Sequence, residues 1–263
     1  MVRSGRLYSV FSLQFILVLF LGLGNNTVHA PNFHNVYNPS NNPISEARTA
    51  LQKTDTEYLI DSLNKKPRMW GLDVSKWQGN IKWSQVVKHN KPHFVFLKAT
   101  EGTHITDPTY KRNGDSLEKY DIMQGAYHFW RFDVPGYYQA KRFINTIKIR
   151  PNNLAPVVDV EYGRKRLPSK KVVVEQLMTF CKVIERTYGV KPILYTNEHL
   201  YETYLAEAFE DYILWIPKYS TKPKLDWDIW QYTNKGVVKG IEGRVDKNYM
   251  RTDKEMLQRV IVN

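Results

Sequence analysis

The feature that most narrows what this chain can become is the run Ala155-Pro-Val-Val-Asp-Val-Glu161, an apolar segment ending in two carboxylates spaced i, i+2. Side chains alternate across a strand, so Asp159 and Glu161 share one face while Val158 and Val160 share the other. The valine face must pack, and two acids are too costly to bury without partners. A strand whose last residues open into a polar pocket meets both demands. Paired carboxylates in a pocket are also what acid-assisted cleavage of a glycosidic bond requires.

The same habit recurs along the chain. Strand-like runs at 69–75, 93–100, 123–129, 155–161, 192–197, 212–217 and 228–232 alternate with amphipathic helical stretches at 83–89, 108–120, 136–147, 169–188 and 198–209. Such alternation predicts parallel strands with helices packed outside. The later strands follow one another through short connections without helices. The expected fold is therefore α/β, a single irregular (β/α) TIM-like barrel with an incomplete set of helices. Almost every strand candidate finishes with chemistry: Asp73, Lys98 with Glu101, Tyr127 with His128, Asp159 with Glu161, Tyr195 with Asn197, Trp215, and Gln231 with Tyr232. Strand ends meet polar loops in any fold. Taken together, though, these ends point to the face where barrel enzymes keep their active sites.

Charge and composition restrict the partners. The formal net charge of +12 favours an anionic partner: nucleic acid, a membrane surface or an acidic wall polymer. A nucleic-acid binder needs basic residues clustered with aromatics on one face; here they are dispersed, and no nucleic-acid partner is expected. Seven Trp and 17 Tyr suit a groove that stacks sugar rings, and equally an aromatic core. The single cysteine, Cys181, excludes an intramolecular disulfide and has no activating base near it in sequence. No zinc-type Cys/His spacing and no HExxH occurs, so neither a metal nor an organic cofactor is expected.

The N-terminal segment reads differently. Arg3 and Arg6 precede an apolar stretch at 10–23, the pattern of a secretory signal. Val28-His29-Ala30 offers a small-residue cleavage site, but Pro31 follows it directly and disfavours cutting. Residues 1–30 are thus expected to be a signal peptide, or an anchor attaching the chain to a membrane, with a secreted, periplasmic or anchored product. Residues 31–68 read as an Asn/Pro-rich linker with a short helical periodicity, and residues 69–263 as the catalytic barrel. A monomer is expected.

The ordered motifs resemble those of glycoside hydrolase family 25, the Chalaropsis-type lysozymes (N-acetylmuramidases). The resemblance is carried by Gly71-Leu-Asp-Val-Ser75 with Trp77-Gln-Gly79, Phe94-Val-Phe-Leu-Lys-Ala-Thr-Glu-Gly102, Asp107-Pro108 and Gly125-Ala-Tyr-His-Phe129. It continues through the Asp159/Glu161 strand, Pro192-Ile-Leu-Tyr-Thr196, Trp215, Trp230-Gln-Tyr232 and Gly240-Ile-Glu-Gly-Arg-Val-Asp-Lys-Asn248, covering about residues 69 to 250. It implies an incomplete β/α barrel that cleaves the β-1,4 bond after N-acetylmuramic acid in peptidoglycan. It also implies Glu161 as catalytic acid, Asp159 as its carboxylate partner, Asp73 and Asp246 as further acids of the site, and Tyr127 near the scissile sugar. Lys98, Glu101, Tyr195, Trp215, Gln231 and Tyr232 are the expected substrate-binding residues; for Lys98 and Glu101 a plain salt bridge is the competing expectation. Two departures from the family pattern stand out, Pro217 in Trp215-Ile-Pro-Lys-Tyr219 and the bulky, charged Trp130-Arg131 pair.

Two other readings bear comparison. A chitinase-like barrel needs further carboxylates upstream on the acidic strand, where Val157 and Pro156 stand instead. A non-catalytic peptidoglycan-binding protein on the same fold is the main alternative, since fold does not guarantee activity. Four retained acids argue against it, because they repel an anionic polymer.

Overall fold

A computed structural model describes residues 68–162 and 167–262. The expected signal or anchor (1–30) and all but the last residue of the expected linker (31–68) lie outside the described residues. No helix among the described residues is long and apolar enough to cross a membrane.

Nine strands form one sheet: β1 (Arg68–Val74), β2 (Phe94–Glu101), β3 (Ile105–Thr106), β4 (Met123–Phe129), β5 (Val157–Val160), β6 (Ile193–Thr196), β7 (Leu214–Pro217), β8 (Ile229–Gly236) and β9 (Val245–Arg251). The order is β1-β9-β8-β7-β6-β5-β4-β2-β3, and a parallel β1–β2 pairing closes eight of them into a barrel. β3 is a short antiparallel flap on β2. Within the barrel, neighbouring strands run parallel except where β9 enters antiparallel between β8 and β1. The helices are α1 (Trp83–Asn90), α2 (Tyr110–Lys119), α3 (Gly136–Thr146), α4 (Lys170–Tyr188), a short α5 (Glu198–Leu200) running into a π turn at Tyr201–Leu205, and α6 (Lys254–Val260). Among the described residues no helix joins β7 to β8, as the short connection predicted, and none joins β8 to β9. Three elements, β3, β9 and α6, were not anticipated from sequence.

The pleat sorts the side chains into two layers. Phe94, Phe96, Val157, Ile193, Tyr195, Trp215, Ile229 and Met250 fill the barrel interior. Their sequence neighbours pack outward: Val158, Val160, Leu194 and Ile216 lie under α3 and α4, while Leu72, Val74, Val95 and Leu97 lie with α1 and α2. Two glycines make the interior possible. A Cβ on Gly71 would stand 2.4 Å from the Phe94 ring, and one on Gly125 would stand 2.5 Å from the Phe96 ring. The large rings on β2 therefore take the space that β1 and β4 leave empty.

Candidate active site

Above the interior aromatics, the inward positions of the same strands turn polar. Asp73 (β1), Lys98 (β2), Tyr127 (β4), Asp159 and Glu161 (end of β5), Tyr195 (β6), Trp215 (β7), Gln231 (β8) and Asp246 (β9) line one pocket of about 310 Å³ at the barrel mouth. Ser75, Trp77, Phe129, Tyr219 and Asn234 complete its wall. Asp246 belongs there because β9 runs antiparallel, so its first residues meet the last residues of the parallel strands; Asp246 faces Asp73 in register.

Two expected site residues fall elsewhere. Tyr232 follows the inward-facing Gln231, so the pleat turns it to the outside, where it stacks on Tyr249 at 4.4 Å and 15°. Glu101 does not line the pocket. The β2–β4 register slips between Lys98 and Thr100, and Glu101 accepts from Lys98 Nζ at 2.7 Å and pairs with Arg131 at 2.8 Å. Burial pushes the Glu101 carboxyl up, but the bond to Lys98 and the charges of Lys98, Arg131 and Lys76 outweigh it and hold the group ionised below its ordinary range. The salt bridge is what this pair forms. Its effect on the site is indirect: Lys98 Nζ lies 4.7 Å from the centroid of Phe129, a pocket residue, and Arg131 flanks the same ring. The bulk of Trp130 goes into the outer core, 2% exposed, and leaves the pocket shape untouched.

Several groups take roles that the sequence did not assign: Gln231 was expected in the site, but Asn248, Asp107 and His128 were not given a part in it. Asn248 is fully buried; its Nδ2 donates to Asp73 Oδ2 at 2.7 Å and its Oδ1 accepts from Trp215 Nε1 at 2.9 Å. Gln231 Nε2 donates to the same Asp73 oxygen at 3.1 Å, and Gln231 Oε1 accepts from the hydroxyls of Tyr195 (3.1 Å) and Tyr219 (2.8 Å). Asp107 supports the rim: its Oδ2 accepts from the Lys76 amide at 2.9 Å and its Oδ1 from Thr109, which fixes the turn bearing the exposed Trp77. His128, beside Tyr127, faces outward between Thr100 (2.7 Å) and Gln139 (3.0 Å) and is depressed to about 4 by burial, so it stays neutral and structural.

The four acids crowd one another. Glu161 is raised by burial, with a hydrogen bond to Tyr195 and the charge of Lys98 pulling it partly back. Asp159 is raised further by burial and then by the charge of Glu161, and its Oδ1 is buried with no hydrogen-bond partner among the described residues. Asp73 rises to about 6 through burial, although Asn248, Gln231 and Asp246 each favour its ionised form. Asp246 rises to about 8 through burial and through the charge of Asp73. Such a set can hold protons near neutral pH and release them to a leaving group. No group of three or more His, Cys, Asp or Glu among the described residues is arranged to hold a metal ion.

A closed β/α barrel with proton-holding carboxyls gathered at the ends of its strands defines a hydrolase of the acid-assisted type. The sequence model described as "Glycosyl hydrolases family 25" matches residues 72–241. YegX, an uncharacterized protein of Escherichia coli K12, is 35% identical over 196 residues, spanning 72% of this chain and 71% of that protein. A family 25 glycosyl hydrolase structure from Bacillus anthracis superimposes with a TM-score of 0.66 at 34% identity, covering 71% of this chain and 90% of that one. A bacterial lysozyme from Streptomyces coelicolor gives 0.65 at 27% identity, covering 72% and 94%. The chain belongs to glycosyl hydrolase family 25 and is a glycoside hydrolase of the lysozyme type.

Proposed function

We propose that this enzyme hydrolyses the β-1,4 bond between N-acetylmuramic acid and N-acetylglucosamine in bacterial peptidoglycan, with Glu161 as the general acid. The observation that carries the reading is the pairing at the end of β5: a half-buried Glu161 with a raised proton affinity, two residues from an Asp159 whose inner oxygen lacks a donor among the described residues. A glycosidase must protonate the leaving oxygen while positive charge develops at the anomeric carbon. Glu161 holds a proton for the first task. Asp159 reaches the sugar from the same side, its Cβ roughly 6.5–7 Å from that of Glu161 as for i, i+2 on a strand, so it is badly placed to attack the opposite face. Its unpartnered Oδ1 suits an N–H donor from the substrate. The 2-acetamido group of the sugar supplies one, and Asp159 then orients that group to attack the anomeric carbon itself.

The half-buried Tyr127 and the exposed Trp77 offer ring faces for the sugar, with the buried Tyr195 and Trp215 forming the floor beneath, and Lys98 a positive charge for its carboxylates. The basic chain suits a polymer carrying lactyl and peptide carboxylates. The enzyme acts on the cell wall, and export through residues 1–30 matches that destination. Digestion of purified peptidoglycan followed by borohydride reduction tests the bond specificity. Reduced muramic-acid ends are expected. Reduced glucosamine ends would keep the hydrolase and reverse the bond assignment, and binding without cleavage would favour the non-catalytic alternative.

A further inference from the structure

Asp73 and Asp246 face each other in register across the β1–β9 pairing, and the charge of Asp73 raises the proton affinity of Asp246. Two carboxylates that face each other in a buried pocket repel when both are ionised, so the pair favours holding one proton. Its position is decided by the groups behind Asp73. An indole N–H only donates, so Trp215 forces Asn248 to turn Oδ1 towards it and its amide N–H towards Asp73. The hydroxyl of Tyr219 donates to Gln231 Oε1 at 2.8 Å, and the Gln231 amide N–H faces Asp73 as well. One oxygen of Asp73 thus accepts two oriented amide donors, an arrangement that favours the ionised carboxylate. Asp246 has no amide or hydroxyl donor of this kind among the described residues.

We infer that Gln231 and Asn248 are positioning residues that hold Asp73 as the charged acceptor and leave the proton of the pair on Asp246. The pair then carries one negative charge, fixed on the barrel wall at Asp73. Among the titratable groups facing the pair, the charge of Glu161 favours keeping the proton on both members; the phenols of Tyr127, Tyr195 and Tyr219 are raised by burial and the neighbouring acids and stay neutral, and the charge of Lys98 acts on Asp159 and Glu161. The use of that single charge, opposite a cationic anomeric carbon, rests on the proposed hydrolysis; the location of the proton does not.

Carbon-13 NMR titration of the side-chain carboxyls in the free enzyme tests the inference without any substrate. Assignments come from Asp73→Asn and Asp246→Asn. In wild type the Asp246 resonance should stay in its acid form to higher pH than that of Asp73. In Gln231→Leu, and separately in Asn248→Leu, the Asp73 midpoint should rise by about one pH unit, since a donor to its ionised form is lost. Wild-type Asp73 retaining its proton above Asp246 would overturn the inference even if neither variant folds. So would unchanged midpoints in a folded variant. An enzyme with the expected titration order but no muramidase activity would refute the proposed function alone.

Discussion

Asp159 and Glu161 leave β5 on the same face, yet their surroundings give them different tasks. Glu161 has Tyr195 and Lys98 favouring its ionised form, whereas Asp159 has an oxygen that nothing among the described residues satisfies. Asp159→Asn should therefore lower turnover by about 10²-fold or more while glycan-fragment affinity, measured by calorimetry, changes little. A covalent enzyme–sugar adduct trapped in wild type would contradict the substrate-assisted route. Tyr195→Phe removes a bond that favours ionised Glu161, so the proton affinity of Glu161 should rise. The basic limb of the kcat/KM profile should then move to higher pH; a fixed limb would separate Tyr195 from the acid. The acids themselves were legible in the sequence, because two carboxylates spaced i, i+2 at a strand end must share a face and need a polar opening. The amides were legible only in part: Gln231 was expected in the site, Asn248 was not, and the role of neither was. Asn248 and Gln231 act through orientation alone, and nothing in a sequence tells which way a buried amide points.

The strand pleat determines which residues meet in the pocket. Gln231 and Tyr232 could not both face inward, and treating a polar strand end as one unit led Tyr232 to be assigned to the wrong face. β9 escaped sequence reading for a related reason. Its inward positions are Asp246, Asn248 and Met250, two of them polar because they belong to the site, so the apolar alternation that announces a strand is missing. Seven of the eight barrel strands carried that alternation or an apolar run, and they were legible. Packing within the barrel gives a sharp expectation at the same scale. Gly71→Ala should destabilise the fold by about 1–3 kcal/mol in urea unfolding, since its Cβ meets the Phe94 ring. Combining it with Phe94→Leu should recover part of that loss. Strictly additive costs would contradict the proposed exchange of space between β1 and β2.

Across the whole molecule, a site that holds protons carries a cost in stability. Asp73 and Asp246 rise to about 6 and about 8, above the ordinary carboxyl range near 3.8. Between those limits the native state binds more protons than the unfolded chain, so stability falls as pH climbs from about 4 through about 8 and levels off beyond. Asp246→Asn removes the upper part of that slope and should raise stability at pH 8 by about 1–3 kcal/mol, at the expense of activity. A flat stability profile in wild type over this range would mean that the acids are not held as described. The central claim is that one protonated carboxyl at the barrel mouth drives cleavage. Its most direct test compares wild type with Glu161→Gln for peptidoglycan turnover and for polymer binding in the same preparation. Turnover should fall at least about 10³-fold with binding retained. A Glu161→Gln enzyme that still cleaves at a rate close to wild type would contradict the account.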